Sequence, residues 1–166
     1  LLFARREVLA RCCPQAQFHY VLHDSETTVA RNDIDRLPLL EAVERMEQVF
    51  VGPLNPEREI ELGLFKLRIP QYPIEGVREA VLNALTHRDY LNPGEILVRH
   101  SAQELVVTSP GGFVAGITPE NILRHEAVPR NRTLANALVK LRLVESSGIG
   151  RRRIFRSALV YGKRRP

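Results

Sequence analysis

The sequence predicts an α/β fold, a two-layer sandwich in which helices cover one side of a mixed or antiparallel sheet. Three observations favour this class. Short stretches of alternating apolar residues, typical of strands, occur between longer stretches in which apolar residues recur every three to four positions, typical of helices. Proline and glycine separate these stretches, and there is no internal repeat. The apolar share of 44% and the charged share of 26% are those of a soluble globular protein with a core.

The N-terminal part predicts a strand, a turn and a helix. Gln17–Leu22 is expected to form the strand, and Asn32-Asp33 the turn. A helix is expected over Pro38–Phe50, because proline is favoured in the first helical turn and an apolar face follows it.

The break at Asn55-Pro56 predicts a boundary between a first unit, residues 1–55, and a domain at residues 56–166. Beyond it, apolar residues alternate over Glu59–Ile69, and this segment predicts one strand.

The next segment, between Pro73 and Tyr90, carries the most informative pattern. At about 100° per residue, five polar side chains form one stripe on a helix: Glu79, Asn83, Thr86, His87 and Tyr90. The opposite side, expected to pack against the sheet, carries Ile74, Val77, Val81, Ala84 and Leu85. Solvated faces usually carry Lys and Glu, whereas this stripe is rich in side chains that make directed hydrogen bonds or bind ions. The stripe therefore predicts a helix that faces a site.

Three further elements are expected after a turn. Glu95–His100 and Glu104–Thr108 predict a strand hairpin. Thr118 as an N-cap followed by proline predicts a short helix, and apolar spacing predicts another over Thr133–Leu141. Arg151–Val160 fits a helix or a strand, and its composition favours the helix.

The net charge of +5 is concentrated at the C-terminal end. Residues 151–166 carry seven cations and no acid, whereas residues 1–150 carry 17 cations and 19 acids. Such a block is typical of an anion- or nucleic-acid-binding surface, or of a solvated terminal face.

The sequence also predicts a compartment. No apolar run approaches the roughly 18 residues of a membrane span. Cys12 and Cys13 are adjacent, which disfavours a disulfide between them, so reduced thiols in a cytoplasmic protein are expected. Because the chain begins at Leu1, without an initiator Met or a signal peptide, it is expected to be part of a longer protein.

Four motifs together resemble a known family: Glu79-Ala-Val-Leu-Asn-Ala-Leu-Thr-His-Arg-Asp-Tyr90, Thr108-Ser-Pro-Gly-Gly112, Arg130-Asn131 and Glu145-Ser-Ser-Gly-Ile-Gly150. The chain is similar to the gyrase, histidine-kinase and MutL (GHKL) class of ATP-binding domains, which have the Bergerat-type, histidine-kinase-like fold. In particular, it resembles the C-terminal domain of RecG-like, Schlafen-type prokaryotic transcriptional regulators. The resemblance implies that residues 1–55 are the end of an Alba-like (divergent AAA) domain with a connecting helix, and that residues 56–166 are the ATPase-like domain.

The resemblance implies an adenine-nucleotide site that takes ATP and Mg²⁺. Glu79 would polarise the attacking water as a general base in a weak Mg²⁺-dependent ATPase. Asn83 would bind Mg²⁺ through its amide oxygen. The other implied nucleotide-binding residues are His87, Ser109, Gly111, Gly112, Gly148, Gly150 and Arg151. The later glycines would offer main-chain N–H groups to phosphates at a helix start. DNA and a second copy of the chain are further implied partners, whereas a membrane is not.

His87 also admits a structural role, as a hydrogen-bonded anchor for the turn into Tyr90, and Arg88 and Asp89 are expected to pair or to cap the helix. One position departs from the family pattern. Related ATPases accept a hydrogen bond from the adenine amino group on an Asp of the first glycine loop, where this chain has Thr108 or Ser109.

Two other interpretations remain open. A winged-helix DNA-binding region would require Arg151–Phe155 to be a strand paired with Leu143–Glu145. A degenerate nucleotide fold would serve only as an interaction or dimerisation module. The absence of a G-x-x-x-x-G-K-[ST] motif excludes a P-loop helicase.

Overall fold

The computed structural model describes residues 1–51, 55, 57–114, 116–126, 128–144 and 149–161. This part of the chain forms five helices and six strands. In chain order they are α1 (Arg6–Cys12), β1 (Phe18–His23), β2 (Val29–Asp35), α2 (Leu39–Val51), β3 (Glu57–Leu62), β4 (Phe65–Pro70), α3 (Ile74–His87), β5 (Ile96–His100), β6 (Leu105–Thr108), α4 (Arg132–Lys140) and α5 (Ile149–Tyr161).

Four strands form a mixed sheet in the order β2-β1-β5-β6. β1 runs parallel to β5, with Phe18 opposite Ile96 and Leu22 opposite His100, and the outer strands are antiparallel to their neighbours. Along β5, Ile96, Val98 and His100 are buried and Arg99 is exposed, as expected when one face of a sheet is covered. The predicted two-layer α/β sandwich with a mixed sheet is confirmed.

Helix α3 supplies much of the core beside this sheet. Val77, Val81, Ala84 and Leu85 are buried in one cluster with residues of α2, β1, β5 and α4, which confirms the predicted packing side. Ile74, the first residue of the helix, is not buried as predicted but 39% exposed. It lies at the edge of the core, where it lines a small cavity with Val43 and Met46.

Two of the N-terminal predictions are wrong for local reasons. Asn32-Asp33, expected to form a turn, lies inside β2 and pairs with Val21 and Tyr20. Its polar residues are those of an edge strand that is largely exposed to solvent. Glu59–Ile69, expected to form one strand, is the hairpin β3-β4, in which Gly63, with φ of +61°, begins a two-residue turn.

The short helix predicted at Thr118 is also wrong, since residues 119–124 form turns. The Asn121 side chain accepts a hydrogen bond from Thr118 N at 2.8 Å and donates one to the Gly116 oxygen at 2.7 Å. Main-chain bonds from Ile122 N to the Thr118 oxygen and from His125 N to the Asn121 oxygen add single turns, so the segment forms a compact loop and not a continuous helix.

The other predicted elements are confirmed to within a few residues, namely β1, α2, α3, the β5-β6 hairpin, α4 and α5. Strands β1 and β2 come from residues before the predicted boundary at 55, whereas β5 and β6 come from residues after it, and all four share one sheet. That boundary therefore does not separate two sheets, and the division into two units stays a prediction. Among the described residues, no helix is long and apolar enough to cross a membrane.

Candidate functional site at the contact between α3 and α5

The polar stripe of α3 is covered by α5. A Cβ atom added to Gly150 would lie 1.7 Å from Glu79 Oε1, and one added to Gly76 would lie 2.7 Å from Ser157 Cβ. Both glycines thus permit an approach of the two helices that a larger residue would block. Glu79 is consequently only 8% exposed. The stripe faces the first turn of α5, which becomes one wall of the candidate site.

Glu79 and Asn83 form a hydrogen-bonded pair one helical turn apart. Asn83 Nδ2 donates to the Glu79 main-chain oxygen at 2.8 Å and to Glu79 Oε1 at 3.3 Å. With the amide nitrogen used in this way, Asn83 Oδ1 is the atom available to a cation. Its orientation is therefore set by the carboxylate beside it.

The donor set at this pair suits Mg²⁺ better than a transition metal. Mg²⁺ takes oxygen ligands and often binds through one or two protein groups together with substrate phosphates. In the described part of the chain, no group of three or more His, Cys, Asp or Glu residues is placed to hold a metal ion. Asn83 would thus hold Mg²⁺ only together with phosphate oxygens.

Positive charge gathers at the other end of the stripe. The pKa of His87 is lowered, first by burial and then by the charges of Arg130 and Arg151. Arg151 donates to the main-chain oxygens of Ile122 at 2.6 Å and of His125 at 2.8 Å. Two fixed guanidinium groups beside a neutral imidazole make this end favourable for an anion.

The first glycine loop is attached to the C-terminal end of α3. Ser109 Oγ donates to the Ala84 oxygen at 2.9 Å, and Asp89 N donates to the Pro110 oxygen at 2.8 Å. Gly111 has φ of +106°, and a Cβ there would lie 3.0 Å from Asp89 Cβ and 3.3 Å from the Arg130 guanidinium. Packing alone therefore requires glycine at 111. A Cβ on Gly112 would meet nothing within 4 Å, so its main chain is accessible to a ligand.

Arg130 and Asn131 join the same loop to α3. Arg130 Nε donates to the His87 oxygen at 3.0 Å, and its Nη2 donates to the Gly112 oxygen at 2.6 Å. Asn131 Nδ2 donates to the oxygens of Thr86 and Arg88, both at 2.8 Å. These bonds satisfy main-chain oxygens at the helix end, which otherwise lack partners. Sequence reasoning used this pair only as a motif and missed its part in the site.

Arg88 is buried and holds the turn after α3. Its guanidinium donates to the main-chain oxygens of Gln15 at 2.5 Å and Asn92 at 3.3 Å, and lies 5.0 Å from the centre of the Tyr90 ring. Of the two expected roles, capping is confirmed, since Arg88 is the C-cap residue of α3 and its N–H donates to the Ala84 oxygen at 3.0 Å. Arg88 contacts Asp89 through the main chain, where Nη1 donates to the Asp89 oxygen at 3.1 Å. The Asp89 carboxylate accepts from Leu91 N at 3.0 Å instead.

Tyr90 belongs to this structural unit and not to the site, since its hydroxyl donates to the Leu85 oxygen at 2.8 Å. Within the described residues, the His87 ring makes no hydrogen bond. The expectation that it anchors the turn is met only by its main-chain oxygen, which accepts from Arg130.

The structure therefore places the predicted residues in two connected groups. Glu79, Asn83 and Gly150 form one, and the other contains His87, Ser109, Gly111, Gly112 and Arg151. Arg130 links the members of the second group. Gly148 lies outside the described residues.

Comparison with known proteins finds a family model that matches the C-terminal part of the chain. Residues 94–166 match the family described as "Putative ATP-dependent DNA helicase recG C-terminal". The predicted RecG-like, ATPase-like resemblance is confirmed over this segment. No curated protein matches the sequence.

Among solved structures, the DIP2311 protein from Corynebacterium diphtheriae is similar to this chain, with a TM-score of 0.81 and 29% sequence identity. The similarity covers 99% of this chain and 34% of that protein. The chain thus spans about a third of the length of this relative.

Proposed function

We propose that this domain binds an adenine nucleotide together with Mg²⁺ where the polar stripe of α3, the first glycine loop and the start of α5 meet. The observation that carries the proposal is the contact of Gly150 with Glu79. It sets the first turn of a 13-residue helix beside a Glu–Asn pair. Unpaired N–H groups and the helix dipole make such a start favourable for phosphate.

The two groups of residues would act on different parts of the ligand. Asn83 Oδ1 would coordinate Mg²⁺, which neutralises phosphate charge when bound. Arg130, Arg151 and neutral His87 would stabilise the anionic part by charge and hydrogen bonding. Glu79, fixed by Asn83 and by the first turn of α5, would orient a water for weak ATP hydrolysis.

Selection of adenine would depend on the two hydroxyls that stand where related ATPases have Asp. Ser109 Oγ donates to the Ala84 oxygen at 2.9 Å, and Thr108 Oγ1 donates to the Leu97 oxygen at 3.4 Å. Because both hydroxyl groups donate their protons to main-chain oxygens, their oxygen atoms can accept a hydrogen bond from the adenine amino group.

Isothermal titration calorimetry of ATP with Mg²⁺ tests this proposal. We expect a saturable heat for the wild-type chain and at least about tenfold weaker binding for Asn83→Ala, equivalent to about 1.4 kcal/mol. Gln103→Ala, in the exposed turn between β5 and β6, is the matched amide control and should bind like wild type. Equal heats from wild type and Asn83→Ala, or none from either, would favour the interaction-module interpretation.

Exposed arginines favour DNA as a second ligand. Arg152 and Arg156 are exposed and lie one turn apart on α5, so both can reach phosphates. We propose weak, non-specific and salt-sensitive binding through this side. Replacing both with Ala should weaken duplex binding in fluorescence anisotropy and reduce the salt slope by about 1–2. A salt slope equal to that of wild type would show that α5 does not contact DNA.

The winged-helix interpretation required Arg151–Phe155 to be a strand, and it is wrong because these residues belong to α5. A role in a cytoplasmic Schlafen-type transcriptional regulator stays part of this proposal. The match over residues 94–166 supports the RecG-like, ATPase-type part of it.

A further inference from the structure

The hairpin β3-β4 forms a two-stranded sheet of its own, separate from the main sheet. Its base is attached through Asn55, which accepts from Tyr72 N at 3.1 Å and donates to the Tyr72 oxygen at 2.8 Å. The Tyr72 hydroxyl in turn donates to the Ser101 oxygen at 2.7 Å. The base is thereby fixed, whereas both strands towards the tip are exposed.

The register separates most apolar from most charged residues on the two faces, and Arg58, paired with Ile69, is the charged residue at the base of the apolar side. Residues paired across antiparallel strands share a face. The pairs Ile60–Leu67 and Leu62–Phe65 place four apolar side chains on one face, which we call the apolar hairpin face. The pairs Glu59–Arg68 and Glu61–Lys66 place charges on the other, where Lys66 Nζ lies 3.0 Å from Glu59 and 3.4 Å from Glu61.

The apolar hairpin face is open to solvent along most of its length. Leu62 is 58% exposed, Phe65 74% and Leu67 47%, and Leu64 at the tip is fully exposed. Together these residues leave on the order of 500 Å² of apolar surface uncovered, the size of the largest patches on monomers, which are often functional. A two-stranded hairpin without a partner layer is also only marginally stable in water.

We propose that this face packs against the same face of a second copy of the chain. A face-to-face pair is self-complementary, as a two-fold interface must be. It would bury on the order of 1,000 Å² in total, which is the lower limit expected for a specific interface.

Charge disfavours the other symmetric pairing, which would join strand edges. Two copies of β3 side by side would bring the glutamates at 57, 59 and 61 together, and two copies of β4 would bring Lys66 and Arg68 together. Packing through the apolar hairpin face keeps all of these charges on the outer, solvated faces.

Sedimentation equilibrium of the 166-residue chain over roughly a hundredfold range of concentration tests this proposal. We expect the mass to rise from 18.9 kDa towards twice that value. Phe65→Glu should weaken self-association at least about tenfold, because it puts a charge at the centre of an apolar contact. Leu67→Ala, a milder truncation, should weaken it less.

Lys66→Gln is the matched control, since it makes the same change in net charge at the neighbouring position on the opposite face. It should associate like wild type, and circular dichroism should show that each variant is folded. A wild-type mass of 18.9 kDa at every concentration would overturn the proposal. Equal weakening by Phe65→Glu and Lys66→Gln would also overturn it. Neither result depends on nucleotide, so this test can fail while the proposed function holds.

Discussion

The contact between Gly150 and Glu79 makes a quantitative prediction for Gly150→Ala. The added Cβ would start 1.7 Å from Glu79 Oε1, whereas ordinary contacts begin near 3.4 Å. Glu79 is buried and bonded to Asn83, so it cannot move aside freely. Overpacking of this kind costs about 1–3 kcal/mol, and the better helix propensity of Ala returns at most about 1 kcal/mol near a helix start. The clash should therefore dominate.

We expect Gly150→Ala to lower the free energy of unfolding by about 1–2 kcal/mol, which for a chain of this size lowers Tm by about 2–8 °C. Chemical and thermal denaturation followed by circular dichroism measure both. The double variant Gly150→Ala/Glu79→Ala removes the clashing carboxylate, so its cost should be smaller than the sum of the single costs. A Gly150→Ala variant as stable as wild type, with no coupling to position 79, would refute the packing of α5 on the polar stripe.

Two further predictions concern the core and pH. Val81→Asp should lower the free energy of unfolding by about 3–5 kcal/mol, because it buries an unpaired charge. Ile74→Asp, at the exposed first position of α3, should change it by no more than about 1 kcal/mol. Urea unfolding compares the two variants, and equal losses would show that the buried side of α3 is misplaced. Burial lowers the pKa of His100 and of His87 in the folded chain. Below pH 6.5 the unfolded chain therefore binds more protons than the folded chain, and the free energy of unfolding decreases as the pH falls. His100→Asn should therefore flatten the loss of unfolding free energy on acidification. His19, whose pKa is raised, acts in the opposite sense, and an unchanged slope in His100→Asn would contradict the reasoning.

Helical periodicity allowed α3 and its packing side to be predicted, because a 3.6-residue repeat is a local property of the sequence. It could not show what covers the polar stripe. That depends on two helices far apart in sequence meeting through Gly76 and Gly150. A glycine inside an otherwise regular helix was the available signal, since it costs stability unless close packing requires it.

The missed hairpin has a similarly simple physical cause. Alternation of apolar residues is the same for one long strand and for two strands joined by a two-residue turn. Gly63 marked the turn, because its positive φ is one that other residues rarely adopt. The edge strand β2 was missed because its polar residues, solvated on the sheet edge, have the composition of a turn.

The part of Arg130 in the site also could not be predicted from spacing. Its two acceptors, the main-chain oxygens of His87 and Gly112, lie 43 and 18 residues away in sequence. Only the folded chain brings a main-chain oxygen of the helix end and one of the glycine loop to the same guanidinium.

A nucleotide that binds where α5 begins on the polar stripe of α3 should be detected by an NMR titration of the ¹⁵N-labelled chain with ADP and Mg²⁺. We expect the largest shifts at the Gly150 and Gly112 amides and at the Asn83 side-chain amide, with little change at Lys66 in the β3-β4 hairpin. Shifts absent at all three groups, or largest elsewhere, would contradict binding at this position.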